Sequence, residues 1–190
     1  MMNDVECILV DESDIQKRVR ELGEEISRDY AGRDLVIVGI LKGALVFMAD
    51  LVRNIRIPLS IDFVAVSSYG LATKTSGVVR ILKDLDAPIE GKHVLVVEDI
   101  IDTGLTLHYL LENLKARKPS SVKICTLLDK PSRREVQITP DYNGFQIPDK
   151  FVVGYGLDFG EKYRNLPSVC VLRPEVYQGK LNNNRNGNHR

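Results

Sequence analysis

The residues best suited to chemistry lie in VVEDIIDTGLTL, residues 96–107. An apolar run, typical of a buried strand, leads through Asp-Thr-Gly into a pattern with helical spacing. The N-terminus of a helix offers free backbone N–H groups and a partial positive charge, which suit a phosphate. Gly104 allows close approach of the backbone, and the hydroxyls of Thr103 and Thr106 add donors. We therefore expect a phosphate to bind where this helix begins.

Acidic side chains precede this phosphate site. Glu98 and Asp99 follow the apolar residues 94–97. Because adjacent carboxylates repel a phosphate, they need another partner, and neutral ribose hydroxyls or Mg²⁺ meet that need. An alternative is that Asp102 or Thr103 is only a helix N-cap, but capping does not explain two more acids at a strand end. Neither the GxxxxGK[ST] loop nor the dinucleotide GxGxxG pattern is present.

Alternating strands and helices position these residues. Apolar runs predict strands at 35–41, 61–70, 78–85, 93–100, 121–130, 151–158 and 168–174. Helical spacing predicts helices at 13–30, 44–55 and 105–118, the first with Ser13 as N-cap and Gln16 completing a capping box. This order predicts an α/β fold with a mostly parallel, twisted central sheet flanked by helices. Ligands of such sheets bind at the carboxyl ends of the strands, where the polar residues gather.

Composition excludes several classes of protein. The 190 residues include 26 Lys plus Arg and 26 Asp plus Glu, so no global charge attracts nucleic acid or an anionic membrane. Cys7, Cys125 and Cys170 are widely spaced and predict neither a disulfide scaffold nor a zinc site. The start lacks the features of a signal peptide, and no apolar run approaches the roughly 20 residues of a membrane span. We expect a cytoplasmic protein with one domain, 1–176, and a disordered Asn-rich tail, 177–190.

Several motifs together resemble a known family. Glu-Asp, two apolar residues and Asp-Thr-Gly-x-Thr resemble the 5-phosphoribosyl diphosphate signature of type I phosphoribosyltransferases. From about residue 5 to 174, the chain is similar to bacterial hypoxanthine phosphoribosyltransferases, through VGILKGALVFMADL, DFVAVSSYG, VRILKDLD, ICTLLDKPSRRE and PDKFVVGYGLDFGEKYRNLP. The resemblance implies the type I phosphoribosyltransferase fold, with a small hood built from the N-terminal and roughly 130–174 segments. It also implies a mobile active-site loop beginning at Ser68 and Tyr69.

The resemblance also assigns the groups that bind the donor. Ribose 5-phosphate would bind Glu98, Asp99, Asp102, Thr103, Gly104, Leu105 and Thr106. Pyrophosphate would bind Lys42, Gly43 and Arg164, with a cis peptide bond before Lys42. Mg²⁺ is the implied cofactor, with Glu98, Asp99 and Asp158 as its ligands.

The remaining implied roles concern the base. The purine would stack on Phe151 and bond to the backbone of Val152, while Lys130 donates to its O6 atom. Since an ammonium group only donates, Lys130 favours a 6-oxopurine over adenine. Asp102 would be the catalytic residue, as general base or proton acceptor near N7. An Asp is a weak base at its ordinary pKa of about 4, so stabilising charge on the ribose is expected to matter as much.

The function predicted from all of this is purine salvage. The enzyme would transfer the 5-phosphoribosyl group to hypoxanthine, and to guanine, with release of pyrophosphate. Alternatives are a phosphoribosyltransferase that prefers xanthine and guanine or a pyrimidine, an RNA-binding regulator on the same fold, and a structural protein. The neutral charge argues against the regulator, and clustered acids argue against the structural role. The expected partners are the two small substrates and further copies of the chain, in a dimer or tetramer.

Overall fold

Two β-sheets and three α-helices make up the part of the chain that the structure, a computed structural model, describes: residues 1–69 and 78–178. The strands are β1 (Val5–Val10), β2 (Leu35–Leu41), β3 (Leu59–Tyr69), β4 (Val78–Lys83), β5 (His93–Ile101), β6 (Ser121–Asp129), β7 (Tyr142–Gln146), β8 (Val152–Val153) and β9 (Val169–Leu172). The α-helices are α1 (Glu12–Asp29), α2 (Leu45–Asn54) and α3 (Leu105–Lys115), and 3-10 turns lie at Met2–Asp4 and Pro131–Arg133. A last helical segment spans 174–178.

The larger sheet has the strand order β4-β3-β2-β5-β6-β7. Its pairings are parallel except between β3 and β4, which run antiparallel. Strand β2 is buried over almost its whole length, as expected for a central parallel strand covered on both faces. The predicted fold class, a mostly parallel sheet flanked by helices, is confirmed.

Separate hydrophobic clusters cover the two faces of this sheet. One contains the buried stripe of α1, Ile15, Val19, Leu22 and Ile26, together with α2. The other contains the buried leucines of α3, among them Leu110 and Leu114. Because the helices cover both faces, the strand ends are left as the open edge where polar residues meet.

A small antiparallel sheet, β1-β9-β8, stands apart from the larger one. It has its own cluster of buried residues, which includes Val5, Val153 and Leu172. The hood that the resemblance implies would take in the N-terminal segment and roughly 130–174. Within that range, however, β7 pairs with β6 and extends the larger sheet instead.

The predicted N-cap of the first helix is wrong. Helix α1 begins at Glu12, and Asp11 caps it by accepting a hydrogen bond of 2.8 Å from the backbone N–H of Ser13. Gln16 makes no capping box, since its Nε2 atom donates to Asp50 at 3.2 Å. Asp11 lies two residues before Ser13 and competes for the same helix end, which the spacing of Ser13 and Gln16 did not reveal.

The predicted strand 151–158 is also shorter than expected. Pairing with β9 covers only Val152–Val153, because the chain then turns with positive φ at Gly154, Tyr155 and Gly156 (97°, 49° and 101°). The predicted tail boundary at 177 moves as well, since residues 177 and 178 belong to the last helical segment. Strands β1 and β7 had no counterpart among the predicted elements.

Candidate active site

A cavity of about 340 Å³ lies at the carboxyl ends of β2 and β5. These strands are neighbours and run parallel, so the loops that follow them meet at one edge of the sheet. The predicted site residues that line the cavity are Lys42, Gly43, Glu98, Asp99, Asp102, Thr103, Gly104, Thr106, Asp158 and Arg164. Folding therefore brings together residues from three distant parts of the sequence.

The loop between β5 and α3 presents free backbone donors to this cavity. Gly104 adopts a left-handed conformation, with φ of 82°, and α3 begins at the next residue. Within the described chain, the backbone N–H groups of Thr103, Gly104 and Thr106 have no protein acceptor. Leu105, also predicted to bind phosphate, does not line the cavity, and its N–H is 3.4 Å from the Thr103 hydroxyl. Such unpaired donors at a helix N-terminus suit an anion.

A strap formed by residues 130–136 holds this loop from behind. The backbone N–H of Glu135 donates to the carbonyl of Thr103 at 3.0 Å. Arg134 donates from Nη1 to the carbonyl of Asp102 at 2.8 Å, and its Nη2 pairs with the buried carboxylate of Asp129. Arg133 reaches the Asp102 carboxylate, with Nε 3.1 Å from Oδ1. The sequence showed the basic run KPSRRE but did not indicate that its arginines hold the loop between β5 and α3, which is called the phosphate loop below after the ligand it is predicted to bind.

Glu98 and Asp99 lie side by side, partly exposed at the cavity wall. Burial raises the pKa of Glu98 well above its usual value, and the neighbouring Asp99 carboxylate raises it further. Burial likewise raises the pKa of Asp99, although the N–H of Ile100 donates to its Oδ1 atom at 2.9 Å. Both shifts mean that two ionised carboxylates side by side are unfavourable here, and a cation or a set of hydroxyl donors would stabilise the ionised pair.

The loop after β2 packs directly against this acidic pair. Its peptide bond between Leu41 and Lys42 is cis, as the resemblance implies. A Cβ atom placed on Gly43 would lie 1.8 Å from Oδ2 of Asp99, so no side chain fits there. The Lys42 ammonium is exposed and pairs with Glu161 at 2.9 Å. The backbone of the loop therefore faces the cavity more closely than its lysine side chain does.

Asp158 and Arg164 form the third part of the cavity wall, beside the loops that follow β2 and β5. Asp158 Oδ1 lies 3.0 Å from Arg164 Nη2, and Asp158 Oδ2 accepts from the backbone N–H of Glu161 at 2.8 Å. Arg164 also donates from Nη1 to the carbonyl of Gly156 at 2.7 Å. Its buried Nε atom has no partner in the described part of the chain. Because Arg164 lines the cavity with its guanidinium group fixed in this way, it suits an anionic ligand.

The residues predicted to bind the base do not line this cavity. Lys130 is buried, and its ammonium donates to the carbonyl of Lys150 at 2.7 Å and lies 3.6 Å from Asp149. Phe151 follows Lys150 directly, so this bond ties the lysine to the segment that carries the aromatic ring. Val152 is buried in β8. Asp149 was not predicted from the sequence, because a single acidic residue in a loop forms no motif that indicates a binding site.

The predicted mobile loop falls almost entirely outside the described residues. The backbones of Ser68 and Tyr69 close β3 and pair with Val79 and Val78. Residues 70–77, the rest of that prediction, are not described. Val66, two residues earlier on the same strand, lines the cavity, so β3 leads from the cavity wall toward that segment.

Comparison with known proteins agrees with this geometry. Residues 8–160 match the family described as the phosphoribosyl transferase domain. A hypoxanthine-guanine phosphoribosyltransferase of Bacillus subtilis is 54% identical over 178 residues, which cover 94% of this chain and 99% of that protein. A crystal structure of a hypoxanthine phosphoribosyltransferase from Staphylococcus aureus superposes with a TM-score of 0.90 at 53% identity, covering 93% of this chain and 96% of that one. The chain belongs to the phosphoribosyl transferase family.

A longer relative also matches. The bifunctional protein TilS/HprT of Listeria monocytogenes is 53% identical over 177 residues, which cover 93% of this chain but 27% of that protein. The chain therefore spans about a quarter of the length of this relative.

Within the described residues, none of the helices has the length and apolar character that crossing a bilayer requires.

Proposed function

We propose that the protein transfers the 5-phosphoribosyl group of 5-phosphoribosyl 1-diphosphate to N9 of hypoxanthine or guanine, with release of pyrophosphate. The observation that carries this proposal is that one cavity combines unpaired helix N-terminal amides, an adjacent pair of carboxyl groups and the guanidinium group of an arginine. These three elements match the 5′-phosphate, the ribose diol and the diphosphate of the donor. Relatives of similar length that are about 53–54% identical bear the name hypoxanthine-guanine phosphoribosyltransferase.

The donor is held at both ends in this proposal. Its 5′-phosphate accepts from the amides and hydroxyls of Thr103 and Thr106, and the open backbone at Gly104 lets it approach closely. Its diphosphate lies between the Lys42–Gly43 backbone and the guanidinium of Arg164. Fixing both ends sets the position of C1, which lowers the entropic part of the barrier.

The donor set fits a magnesium ion. Mg²⁺ in proteins commonly takes one or two carboxylates and completes its shell with water and substrate phosphates. Glu98 and Asp99 form such a carboxylate pair, and Asp158 lines the same cavity. The ion, when bound with the diphosphate, supplies charge neutralisation on the leaving group. Without it, Glu98 and Asp99 accept from the 2′- and 3′-hydroxyls of the ribose.

The base is oriented by groups outside the donor cavity. Lys130 donates to O6, Val152 offers its backbone to the purine edge, and Phe151 stacks on the ring. As the bond from C1 to the diphosphate oxygen breaks, N9 bonds to C1 from the opposite face. Asp102 accepts the proton that the purine loses and stabilises positive charge on the ribose.

Incubation with labelled bases tests the proposal. Hypoxanthine and guanine, each with 5-phosphoribosyl diphosphate and Mg²⁺, should yield their nucleoside 5′-monophosphates, and adenine should yield none. Added EDTA should abolish the product. A preference for xanthine would support the alternative phosphoribosyltransferase, and no nucleotide from any base would contradict the proposal. Assembly into a dimer or tetramer, and a cytoplasmic location, stay predictions that light scattering and cell fractionation can check.

A further inference from the structure

The aromatic ring of Phe151 is already engaged by a residue near the end of the described chain. Its ring stacks on that of Tyr177, with centroids 4.6 Å apart and an angle of 16° between the planes. Phe159 meets it at right angles, with centroids 5.5 Å apart. Offset or edge-on aromatic pairs are favourable beyond the area that they bury. Phe151 is therefore fixed by aromatic neighbours and not only by its own backbone.

The segment that carries Tyr177 is bonded to the N-terminal part of the chain. The backbone N–H of Arg173 donates to the carbonyl of Asp4 at 2.9 Å, and its Nε donates to the carbonyl of Val5 at 3.2 Å. The N–H of Val176 then donates to the carbonyl of Arg173 at 3.0 Å, which starts the helical segment 174–178. These bonds connect the segment to the first strand of the chain.

Tyr177 and Phe151 also pack against the same hydrophobic cluster. That cluster belongs to the small sheet and includes Val5, Val153 and Leu172. The carbonyl of Phe151 accepts from the backbone N–H of Leu172 at 3.0 Å. The face of Phe151 that Tyr177 covers is thus part of the packing of the small sheet, and a planar ring has one further face.

We infer that Tyr177 is a positioning residue for the purine. By stacking on one face of Phe151, it sets the plane of that ring and leaves the other face to receive the base. This role rests on the proposed function, since it takes Phe151 as the stacking partner of a 6-oxopurine. It adds to the base-binding set a residue some 26 positions further along the chain, at a place the sequence analysis assigned to the tail.

Replacing Tyr177 separates base binding from donor binding. In Tyr177→Leu, which keeps an apolar side chain but no ring, KM for hypoxanthine should rise about 3- to 10-fold, the size expected for losing one aromatic stack. KM for 5-phosphoribosyl diphosphate should stay within about twofold, because the donor cavity does not include this residue. Tyr177→Phe keeps the stack and should behave like the unchanged protein. Tyr109→Leu, at an exposed tyrosine on α3, is the matched control.

Each outcome decides for or against the role. A selective rise in KM for the base in Tyr177→Leu, with rescue in Tyr177→Phe, supports it. An unchanged KM for the base contradicts it, and so does an equal rise in Tyr177→Phe, which would make the stack irrelevant. A lower KM for the base would mean that Tyr177 occupies the face the base needs, and it too overturns the inference. If the wild-type protein makes no nucleotide, the proposed function itself is wrong. That result differs from an active wild-type protein whose KM for the base does not change on substitution of Tyr177.

Discussion

Asp102 makes two independent sets of contacts, one through its backbone and one through its side chain. Its carbonyl accepts from Arg134 at 2.8 Å, whereas its carboxylate meets the half-exposed Arg133 at 3.1 Å. The backbone of the phosphate loop therefore does not depend on the charge of the carboxylate. We therefore expect a change at this side chain to alter the proposed chemistry while leaving the backbone of the loop in place.

Asp102→Asn tests that separation. We expect kcat to fall about 10²- to 10³-fold, in the range of general acid–base catalysis. Binding of 5-phosphoribosyl diphosphate, measured by calorimetry with Mg²⁺, should change less than about threefold, since the amides of the loop remain. Asp86→Asn, at an exposed acid that does not line the cavity, is the control and should leave both values unchanged. Full turnover in Asp102→Asn would rule out the proposed role.

Gly43→Ala tests the contact between the two loops of the cavity. The new Cβ would lie 1.8 Å from Oδ2 of Asp99, so that carboxylate must move. Because a shift of about 1 Å at a reacting centre can cost on the order of 10²-fold, we expect kcat/KM to fall at least that much. Gly32→Ala is the control. It has φ of 74° and open space around it, so it should cost about 1–2 kcal/mol of stability but no activity. Normal activity of Gly43→Ala would mean that Asp99 is not needed where it lies.

At the scale of elements, the strap of residues 130–136 is what holds the phosphate loop to the sheet. Arg134 of the strap pairs with Asp129, the last residue of β6. Both side chains are largely buried, at 13% and 7% exposed. Removing one partner of a buried ion pair leaves an uncompensated charge, which typically costs about 3–5 kcal/mol. The strap is therefore a structural element as much as a part of the site.

Arg134→Met should lower the free energy of unfolding by about 3–5 kcal/mol, as measured by urea denaturation. Because methionine keeps much of the side-chain volume, the decrease in the free energy of unfolding measures the cost of leaving the Asp129 carboxylate buried without a partner. Arg133→Met, at the exposed neighbour, should leave stability nearly unchanged. Equal stability of the Arg134 and Arg133 variants would show that the buried pair contributes little.

A second connection between elements depends on pH. Asp62 on β3 accepts from the backbone N–H of Asp86 at 2.8 Å and pairs with Lys83 on β4 at 3.3 Å. Burial acts to raise the pKa of Asp62, but backbone N–H groups and the Lys83 ammonium outweigh it and lower the pKa below its usual value. An unfolded Asp titrates near 3.9, so the stabilisation is complete above that pH and is lost as pH falls through the lowered value.

Asp62→Asn should therefore destabilise the protein more at pH 7 than at pH 3. Urea denaturation of both proteins at the two pH values measures the difference. The amide cannot carry the charge that Lys83 pairs with, whereas the ionic contribution of Asp62 in the wild-type protein shrinks as pH falls below the pKa of the unfolded chain and through the lowered pKa of the folded protein. An equal loss of stability at both pH values would contradict an ionic contribution from this residue.

At the scale of the molecule, the sequence predicted what depends on local pattern. The apolar runs of β2, β5 and β6 and the stripe of α1 are strong signals, because burial on both faces of a sheet requires them. The acids and threonines of residues 98–106 were found for the same reason, since they follow a buried strand directly.

What the sequence did not reveal depends on contacts between distant residues. Strand β1 has a burial pattern with exposed positions in its middle, and β7 contains Asn and Gly, so neither has an apolar run. The left-handed turns at 154–156 end β8 early, although the segment reads as one apolar stretch. The bonds from Lys130 to Lys150 and the stack of Phe151 on Tyr177 exist only once the chain has folded. These contacts cannot be predicted from the spacing of residues in the sequence.

The place of Phe151 beside the small sheet has a consequence for how such a protein diversifies. The groups proposed to hold the sugar phosphate lie at strand ends of the larger sheet, whereas Phe151 packs against the cluster of the small one. We therefore expect substitutions in the cluster of the small sheet to change which nucleobase the protein accepts. Binding of 5-phosphoribosyl diphosphate should stay the same. Relatives that differ in base preference should concentrate their differences there and spare the cavity wall.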